Sequence, residues 1–494
     1  MIDLVVFGTG SSAERAWQAL RQLPGVRVVA FADNNEERRR TPFHDLPVIA
    51  PGELSQHRWD YVLLASQWAD EIAAQLQGEG IAESRLIWCK GGGVREAIEQ
   101  VLGAKRAGDE VRVAGGRLIA SDRLPRVLIL TSETLNDSHG TGVLLKRYFR
   151  DFPSAHLFSL CHTEAGKPWL ENSAVIAGRK PTREMVDELL HCRQFQPDLV
   201  YATALNENDL PLLAAVLASL PTTVPVVQHF MDYMPHDAEV FDARLRELLP
   251  RLTEIWALTD SLRTMLRQKF DRPVDLVTSL QQDVPAEWRR EHRPYAPGFR
   301  TVLLGNLWQP WLIPLLRDVW SLVRAELPGL NPIEWYVHPQ RVQAVLEAGY
   351  DPGFEIVWRG FITGEALQER LRGADLALVP FSREDRAANN YARYSLPSRL
   401  TELACAGLPL LAIASADTEP ARFIAQHRIG RSVAGPATEP IAAAVVEFIC
   451  DVEARRRAGA AARALAEREF RLEPFQEWLI GHFLGLVGGD RSKR

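Results

Sequence analysis

Residues 394–413 read YSLPSRLTELACAGLPLLAI, and the rest of the chain is best interpreted outward from them. The pattern predicts a loop, then a helix that begins at Pro397 and ends at Gly407, then a buried strand. Proline is favoured in the first turn of a helix because the N–H that it lacks needs no partner there. That first turn also gathers unpaired N–H groups and a partial positive charge, which suit a bound diphosphate.

Charged side chains accompany this predicted helix and the strand after it. Arg399 adds a fixed cation beside the helix N-terminus. Glu402 follows one turn later, and its carboxylate can accept hydrogen bonds from sugar hydroxyls. Glu419 comes just past the strand and is a further candidate for contact with a substrate. A diphosphate at the helix tip and hydroxyls one turn along indicate a nucleotide-sugar site.

The composition is typical of a globular protein with several domains. A chain of 494 residues exceeds one hydrophobic core, and its length predicts about three domains. Hydrophobic residues make up 46% and charged residues 24%, which is ordinary for such proteins. A net charge of -6 argues against broad nucleic-acid binding, which needs a basic face.

Several features favour the cytoplasm. The five cysteines lie far apart, without the spacing of a disulfide framework or a metal site, which fits a reducing compartment. The chain starts directly with an expected strand and has no basic leader. No apolar run approaches the ~18 residues that a membrane span requires. We therefore expect a cytoplasmic protein.

Short apolar runs alternate with amphipathic segments along the chain, which is typical of α/β domains with parallel sheets. We expect strands at 3–7, 26–32, 61–65, 85–88, 126–131, 198–202, 224–229, 254–258, 274–277, 301–305, 333–337, 354–358, 375–379 and 408–413. The predicted parts are a Rossmann-like nucleotide-binding domain (1–90), a helix and linker (91–124), two larger Rossmann-like domains (125–297 and 298–487) and a tail (488–494).

A glycine-rich turn follows the first expected strand. Gly8 and Gly10 begin the pattern G-x-G-x-x-A, which ends at Ala13, and Asp33 ends the next strand 20 residues later. Such glycines permit a tight turn and close approach of a pyrophosphate, and the acidic residue can bind a ribose. Two interpretations stay open: a site for NAD or another nucleotide, or a Rossmann unit that keeps the turn for packing alone.

This first block resembles the N-terminal nucleotide-binding domain that accompanies bacterial sugar-modifying enzymes. The matching stretches are Phe7–Gly10, Ala30–Asn34, Leu46–Pro51 and Leu64–Ser66, within residues 1 to about 90. The resemblance implies a module that binds a nucleotide or a sugar nucleotide, or that serves regulation.

Two polar segments stand out in the middle of the chain. Gly140 and Gly142 open the helix after the expected strand 126–131, where a Gly-x-Gly turn lets backbone N–H groups approach a ligand. A second cluster, His229, Asp232, His236 and Asp237, comes at the carboxyl end of a buried strand, where open α/β sheets bind ligands. Sugar hydroxyls suit these groups, and we predict no metal site because no further ligands cluster with them.

The last third carries ordered landmarks. They are Gly360, Ala374-Asp375, Pro380, Pro397–Glu402 and Gly407-Leu-Pro409. On these residues, and on the stretch from His229 to Asp232, residues 125–487 resemble the GT-B glycosyltransferases, specifically the group 1 family that uses nucleotide sugars in bacterial glycan synthesis. The resemblance implies two facing Rossmann-like domains with a donor site between them.

The resemblance also implies roles for particular residues. Glu402 would bind the donor ribose, Ser398 and Arg399 the diphosphate, and Gly360 would lie where the base packs. His229 would lie near the reacting sugar, and Gly140 and Gly142 would face the diphosphate from the other domain. The implied reaction moves a sugar, with retention at the anomeric carbon and no required metal or cofactor, to a glycan, lipid-linked or protein acceptor in surface polysaccharide or glycoconjugate synthesis.

The chain departs from the family at two places. Tyr394 stands where an earlier glutamate is common, and residues 305–311 lack the usual arginine and lysine. The leaving group would then be neutralised by Arg399, Arg383 or Arg393. Two other functions stay open, a nucleotide-sugar epimerase or hydrolase and a non-catalytic nucleotide-sugar sensor.

The apolar segment 307–320 has two interpretations, a peripheral contact with the inner face of a membrane or a helix of the core.

Overall fold

The computed structural model describes residues 2–488 except for 22, 24–25, 58, 67, 83–84, 89–93, 95–97, 99–109, 114–116, 137–139, 165, 178–179, 205, 279–290, 308, 310, 363, 382–389 and 436. The chain forms two compact units, Met1–Glu110 and Val111–Arg494. The predicted domain boundaries at 90, 124 and 297 stay predictions. Arg383 and the tail beyond residue 488 lie outside the described residues.

The first unit contains a five-stranded parallel sheet in the order β3-β2-β1-β4-β5. Its strands are β1 (Ile2–Phe7), β2 (Val26–Ala32), β3 (Val48–Ile49), β4 (Tyr61–Leu64) and β5 (Leu86–Trp88), and its described helices include Ser11–Leu20 and Ala69–Gly78. Ala13, Ala16 and Leu20 form one buried stripe of the first helix, at the spacing of an amphipathic helix on a sheet. The glycine turn thus leads from the central strand into a helix that packs on it.

The first half of the second unit contains a seven-stranded parallel sheet in the order β10-β9-β8-β11-β12-β13-β14. Its strands are β8 (Val127–Glu133), β9 (Leu157–Thr163), β10 (Ser173–Val175), β11 (Leu199–Ala202), β12 (Val226–Phe230), β13 (Glu254–Ala257) and β14 (Asp275–Leu276). The helices are Gly140–Tyr148, Arg183–Cys192, Leu210–Ser219, Ala238–Leu248 and Asp260–Phe270. A separate two-stranded sheet, β6 (Glu110–Val113) with β7 (Arg117–Ala120), precedes them in the sequence.

The second half contains a six-stranded parallel sheet in the order β17-β16-β15-β18-β19-β20. Its strands are β15 (Thr301–Leu304), β16 (Ile333–Tyr336), β17 (Ile356–Trp358), β18 (Leu376–Pro380), β19 (Leu410–Ile413) and β20 (Gly430–Val433). The helices are Leu312–Glu326, Pro339–Glu347, Gly364–Arg372, Asn390–Tyr394, Arg399–Cys405, Glu419–His427, Thr438–Cys450, Val452–Glu469 and Leu472–Gly488. The prediction of an α/β protein with parallel sheets is confirmed.

Each of the three sheets places its first long strand between two neighbours. β1, β8 and β15 are each flanked on both sides, and the chain runs to opposite sides of them. In open α/β sheets such a reversal leaves a crevice at the carboxyl ends of the strands, where ligands bind. The fold therefore offers three crevices of this kind.

The last helix, Leu472–Gly488, packs on the first half of the second unit. Leu479 and Phe483 belong to the same buried cluster as Trp256. The side-chain amide of Gln476 donates to the carbonyl of Arg147 over 2.8 Å. The helix that ends the second half is therefore part of the core of the first half.

The apolar segment 307–320 belongs to the core. In the helix Leu312–Glu326, Ile313, Val319 and Trp320 are buried in the cluster that packs on the six-stranded sheet. Because these apolar side chains are covered, the structure favours the interpretation of the segment as a helix of the core. Within the described residues, no helix is both long and apolar enough to cross one.

Candidate functional site at the junction of two halves

The helix predicted from Pro397 starts two residues later, at Arg399, and ends at Cys405. Pro397 and Ser398 instead form a tighter turn, in which the Leu400 N–H donates to the Pro397 carbonyl over 3.0 Å. Gly407 ends the helix as expected, in the left-handed conformation (φ +62°) that glycine adopts without strain. The short helix therefore presents its first turn and the exposed Ser398 next to the first half of the unit.

Arg399 lies over the carboxyl end of β15. Its guanidinium donates to the carbonyls of Leu304 and Asn306, on either side of Gly305. Gly305 has a φ of +70°, and a Cβ added there would lie 3.1 Å from Nη1 of Arg399. A cation thus occupies the turn after β15, although the sequence of that turn supplies none.

Glu402 pairs with Arg147 across the two halves of the unit. Nη2 of Arg147 lies 3.4 Å from Oε1 of Glu402, and both side chains are about a quarter exposed, at 28% and 25%. Arg147 belongs to the helix Gly140–Tyr148, so this pair joins the first helix of one half to the helix Arg399–Cys405 of the other. Sequence reasoning missed Arg147, because 255 residues separate it from Glu402.

The two glycines of the Gly140–Tyr148 helix have different surroundings. A Cβ on Gly140 would lie 3.4 Å from the Ser398 hydroxyl, so Gly140 faces the start of the helix Arg399–Cys405. A Cβ on Gly142 would lie 2.0 Å from the carbonyl oxygen of Asn136, so Gly142 permits close packing within its own half. We call the region where Gly140, Arg147, Ser398, Arg399 and Glu402 meet or approach one another the junction.

His229 does not reach the junction. Its ring is completely buried, Nδ1 lies 2.7 Å from the hydroxyl of Tyr201, and Trp256 packs against it edge-on. Burial lowers the pKa of His229 to about 3, against a smaller opposite effect of the Val277 backbone, so the imidazole is neutral. The geometry gives His229 a place in the core, and its predicted catalytic role stays a prediction.

Asp232 lies just beyond β12 and approaches the second half. Burial raises the pKa of its carboxyl to about 6, and the neighbouring Ser395 hydroxyl acts in the opposite direction. Ser395 is itself buried and lies three residues before Ser398. Asp232 is thus a titratable group beside Ser395, in the segment that leads into the helix Arg399–Cys405.

Glu419 is buried at the start of its helix and also joins the halves. It accepts hydrogen bonds from the Ser261 hydroxyl over 2.6 Å and from Arg422 over 2.9 Å. Nearby, the Thr259 hydroxyl donates to the carbonyl of Tyr394 over 3.0 Å. These contacts give Glu419 a role in holding the halves together, beside any contact with a substrate.

Gly360 follows β17 in the left-handed region, with a φ of +91°. No atom lies within 4 Å of the position that a Cβ would take, so the turn borders open space. The next residue, Phe361, is half-exposed and packs edge-on against His338, with ring centroids 5.5 Å apart. A flat ligand group would find room beside this turn.

The remaining members of the predicted His/Asp cluster serve other contacts. Asp237 caps the helix Ala238–Leu248 by accepting from the backbone N–H groups of Glu239 and Val240. His236 pairs with Glu207, with 3.1 Å between Nδ1 and Oε1. Among the described residues, no group of three or more histidine, cysteine, aspartate or glutamate side chains is arranged to hold a metal ion.

In the first unit, the predicted residues share one edge of the sheet. Gly8 has a φ of +106°, and Asp33 accepts a hydrogen bond from the Thr9 hydroxyl over 2.6 Å. Arg38, which sequence reasoning missed, has Nη1 3.3 Å from the Thr9 hydroxyl and 3.7 Å from Asp33. The edge therefore combines the glycine turn, a carboxylate and a cation.

Comparison with known proteins finds a family model for the first residues of the chain and solved structures similar to about three quarters of it. The family model described as "C2185-like, N-terminal" matches residues 2–87. Anabaena HepE in complex with UDP is 14% identical, with 71% of this chain and 97% of that chain covered and a TM-score of 0.51. A glycosyltransferase from Rickettsia africae ESF-5 is 11% identical, with 74% and 100% covered and a TM-score of 0.51. No curated protein sequence matches the chain.

HepE in complex with UDP-glucose is similar to the same degree, at 14% identity and a TM-score of 0.50, with 73% of this chain and 99% of that chain covered. At this level of identity the likeness establishes the fold. The chain therefore has the GT-B fold of these glycosyltransferases, and the predicted resemblance to that fold is confirmed.

Proposed function

We propose that the second unit is a glycosyltransferase that takes a sugar from a nucleotide-sugar donor bound at the junction. The observation that carries the proposal is the convergence of Gly140 on Ser398, and of Arg147 on Glu402, in a GT-B fold. The HepE structures, which hold UDP and UDP-glucose in the same fold, support a nucleotide sugar as the donor.

In this proposal Arg399 and the N–H groups of the first helical turn stabilise the departing diphosphate. Groups that are already oriented toward developing charge lose little energy in reorganising, and each donor contributes about 3 kcal/mol in comparable sites. The carbonyls of Leu304 and Asn306 hold the Arg399 guanidinium in place before any ligand arrives. Arg399 would thus replace the basic pair that the sequence lacks after β15.

Glu402 is proposed to bind the donor ribose. Its present partner is Arg147, so the ribose hydroxyls would have to compete with that ion pair or displace it. Gly360 and the half-exposed Phe361 would border the base. Asp232 and Glu419 would approach the donor sugar from the two halves.

The finer parts of the function are proposals as well. They are transfer with retention, a glycan, lipid-linked or protein acceptor, and a role in bacterial surface polysaccharide or glycoconjugate synthesis at the inner face of the cytoplasmic membrane. The order of the landmarks from Gly360 to Gly407 supports them, because it resembles that of the group 1 family.

The test is a donor screen with the full chain. UDP-, GDP- and TDP-sugars are incubated with and without a panel of alkyl glycosides, and products are followed by NMR. Acceptor-dependent release of nucleoside diphosphate is expected. Conversion of the donor without acceptor would instead favour an epimerase or hydrolase, and tight binding without any turnover would favour a sensor.

For the first unit we propose nucleotide binding at Gly8, Gly10 and Asp33. The nearby Arg38 supports this, since a guanidinium beside a glycine turn and a carboxylate suits a phosphate and a ribose together. Titration of the full chain with NAD, NADP and UDP-sugars is the test. Asp33→Asn should weaken binding of the ligand found, and equal affinity in the variant would contradict the assignment.

A further inference from the structure

The carboxyl edge of the sheet in the first half carries a histidine–aspartate pair. Nε2 of His162, near the end of β9, lies 2.6 Å from Oδ1 of Asp209. Asp209 is nearly buried, with 6% of its side chain exposed, whereas His162 is 22% exposed. The other oxygen of Asp209 accepts the backbone N–H of Asn206 over 3.0 Å. The backbone of its own loop therefore holds the carboxylate in place, and the imidazole is the more exposed member of the pair.

A second pair lies on the same edge and shares the same loop. Glu207, two residues before Asp209, has Oε1 3.1 Å from Nδ1 of His236 and Oε2 3.0 Å from the backbone N–H of His236. His236 follows β12 and is 73% exposed. The short loop after β11 thus carries two carboxylates, and each of them orients one imidazole.

The first pair spans the crevice of its sheet. β8 lies between β9 and β11, so the contact of His162 with Asp209 crosses the carboxyl end of β8. Thr131 and Thr203 line a small cavity together with Asp209 at this point. The two carboxylates have no role in the donor contacts described above.

This edge is continuous with the donor side of the junction. The N–H of Thr134 donates to the carbonyl of Thr163 over 3.1 Å, which ties the end of β9 to the loop that leads to Gly140. A Cβ on Gly140 would in turn lie 3.4 Å from the Ser398 hydroxyl. A group bound at His162 would therefore lie on the same side of the sheet as the donor.

The chemistry of the pair suits a hydroxyl group. Because Oδ1 of Asp209 accepts the hydrogen bond of the Nε2–H of His162, Nδ1 is the ring nitrogen that is placed to meet a hydroxyl. That nitrogen already lies 3.1 Å from the exposed hydroxyl of Thr163, which shows the geometry of such a contact. The exposed carboxylates Glu133 and Glu164 at the same edge disfavour an anionic ligand.

We propose that His162 with Asp209, and His236 with Glu207, bind the acceptor, and that the acceptor end is an uncharged sugar ring. Nδ1 of His162 accepts the hydrogen bond of one acceptor hydroxyl, and the His236 pair contacts the ring further out. The inference rests on the proposed glycosyltransferase function and adds the acceptor's chemical class to it.

The experiment measures acceptor and donor constants separately on the full chain. The probes are methyl glycosides of glucose, galactose, mannose and N-acetylglucosamine, and methyl glucuronide as the charged counterpart, with the donor found in the screen above. We expect at least one uncharged glycoside, and not the glucuronide, to be used by the wild type. His162→Ala and Asp209→Asn should each raise the acceptor KM about 10-fold, the loss expected for one hydrogen bond, without a matching rise in the donor KM.

Controls separate binding from folding. His191→Ala changes an exposed histidine on the helix Arg183–Cys192 and should leave both constants unchanged. His162→Asn keeps a polar group near Nδ1 and should recover part of the acceptor affinity, which a purely structural contact would not predict. Thermal melting of each variant shows whether it folds. If His162→Ala does not fold, Asp209→Asn serves as the test variant, because its amide keeps an acceptor for the N–H of Asn206.

The outcomes are distinct. An unchanged acceptor KM in folded His162 and Asp209 variants overturns the proposal. Use of the glucuronide in preference to every uncharged glycoside also overturns it. So does a wild type that hydrolyses the donor but uses none of the uncharged glycosides. Absence of both donor binding and donor hydrolysis in the wild type would overturn the proposed function itself.

Discussion

Replacement of Arg399 tests the donor site most directly. The variant Arg399→Ala removes a guanidinium that the structure holds at the turn after β15 through the carbonyls of Leu304 and Asn306. If this cation stabilises the leaving diphosphate, its loss should cost about 3 kcal/mol of transition-state stabilisation, which lowers kcat about 100- to 1000-fold. Arg399→Lys keeps the charge but lacks the planar fork that contacts both carbonyls, so its kcat should fall between those of the wild type and Arg399→Ala.

The same substitution should lower stability only modestly. Hydrogen bonds from a charged donor contribute about 1.5–3 kcal/mol each when buried, and the partial exposure of Arg399 reduces this, so a total of about 2 kcal/mol is expected. Denaturant unfolding measures that loss, and initial rates at saturating donor measure kcat. A folded Arg399→Ala protein with near-normal turnover would refute the role of the cation.

Arg463 provides a matched control at the other end of the same helix. Its Nη1 lies 3.3 Å from the carbonyl of Cys405, so Arg463→Ala also removes an arginine-to-carbonyl contact of the helix Arg399–Cys405. Since Arg463 packs at the carboxyl end, its replacement should affect stability and leave kcat within a factor of about three. An equal loss of kcat in both variants would mean that helix integrity, and not the cation at β15, controls turnover.

Glu402→Ala should weaken UDP binding about 10-fold in calorimetric titrations, whereas Arg147→Ala should strengthen it about threefold, because the ribose no longer competes with a partly exposed ion pair; weaker binding by the Arg147 variant would contradict this. Gly142→Ala should lower the free energy of unfolding by about 3 kcal/mol, because its Cβ would overlap the carbonyl of Asn136, and an unchanged denaturant midpoint would argue against that packing. Because the pKa of Asp232 is raised to about 6, the native state holds its proton longer than the unfolded state, so this group costs stability as pH rises from about 4 to 6. Asp232→Asn should thus exceed the wild type by about 2 kcal/mol at pH 7.5, with the gain vanishing near pH 4 in urea titrations, and a gain of equal size at both values would exclude titration as its cause.

The sequence predicted the fold well where apolar runs were continuous. β8 and β19 match their expected segments closely, and their described residues are almost all buried. β9 was missed because Ser159 interrupts its apolar run, although that side chain is buried and its N–H bonds to the Asn172 carbonyl. A buried polar residue with local partners hides a strand from pattern reasoning.

The predicted catalytic role of His229 stays a prediction, and the place of its ring in the fold has a geometric reason. A residue inside a strand directs its side chain to one of the two faces of the sheet, so what covers that face decides what the side chain meets. His229 lies within β12, and its ring is buried beside Trp256, in the cluster that also takes in the last helix. Asp232, two residues beyond β12, can approach the second half, and the sequence pattern alone did not separate these two positions.

The two halves of the second unit divide the charges that sugar transfer requires. The crevice at β15 holds the cation Arg399, where the proposed transfer would develop negative charge on the diphosphate. The crevice at β8 holds a histidine–carboxylate pair, His162 with Asp209, which suits a neutral hydroxyl and disfavours an anion. If the assignments were reversed, the carboxylates would oppose the departing diphosphate, and the histidine–carboxylate pair would not lie beside the acceptor hydroxyl. The charge distribution therefore supports a donor in the second half and an acceptor in the first, independently of the glycine turn and the helix that suggested the site.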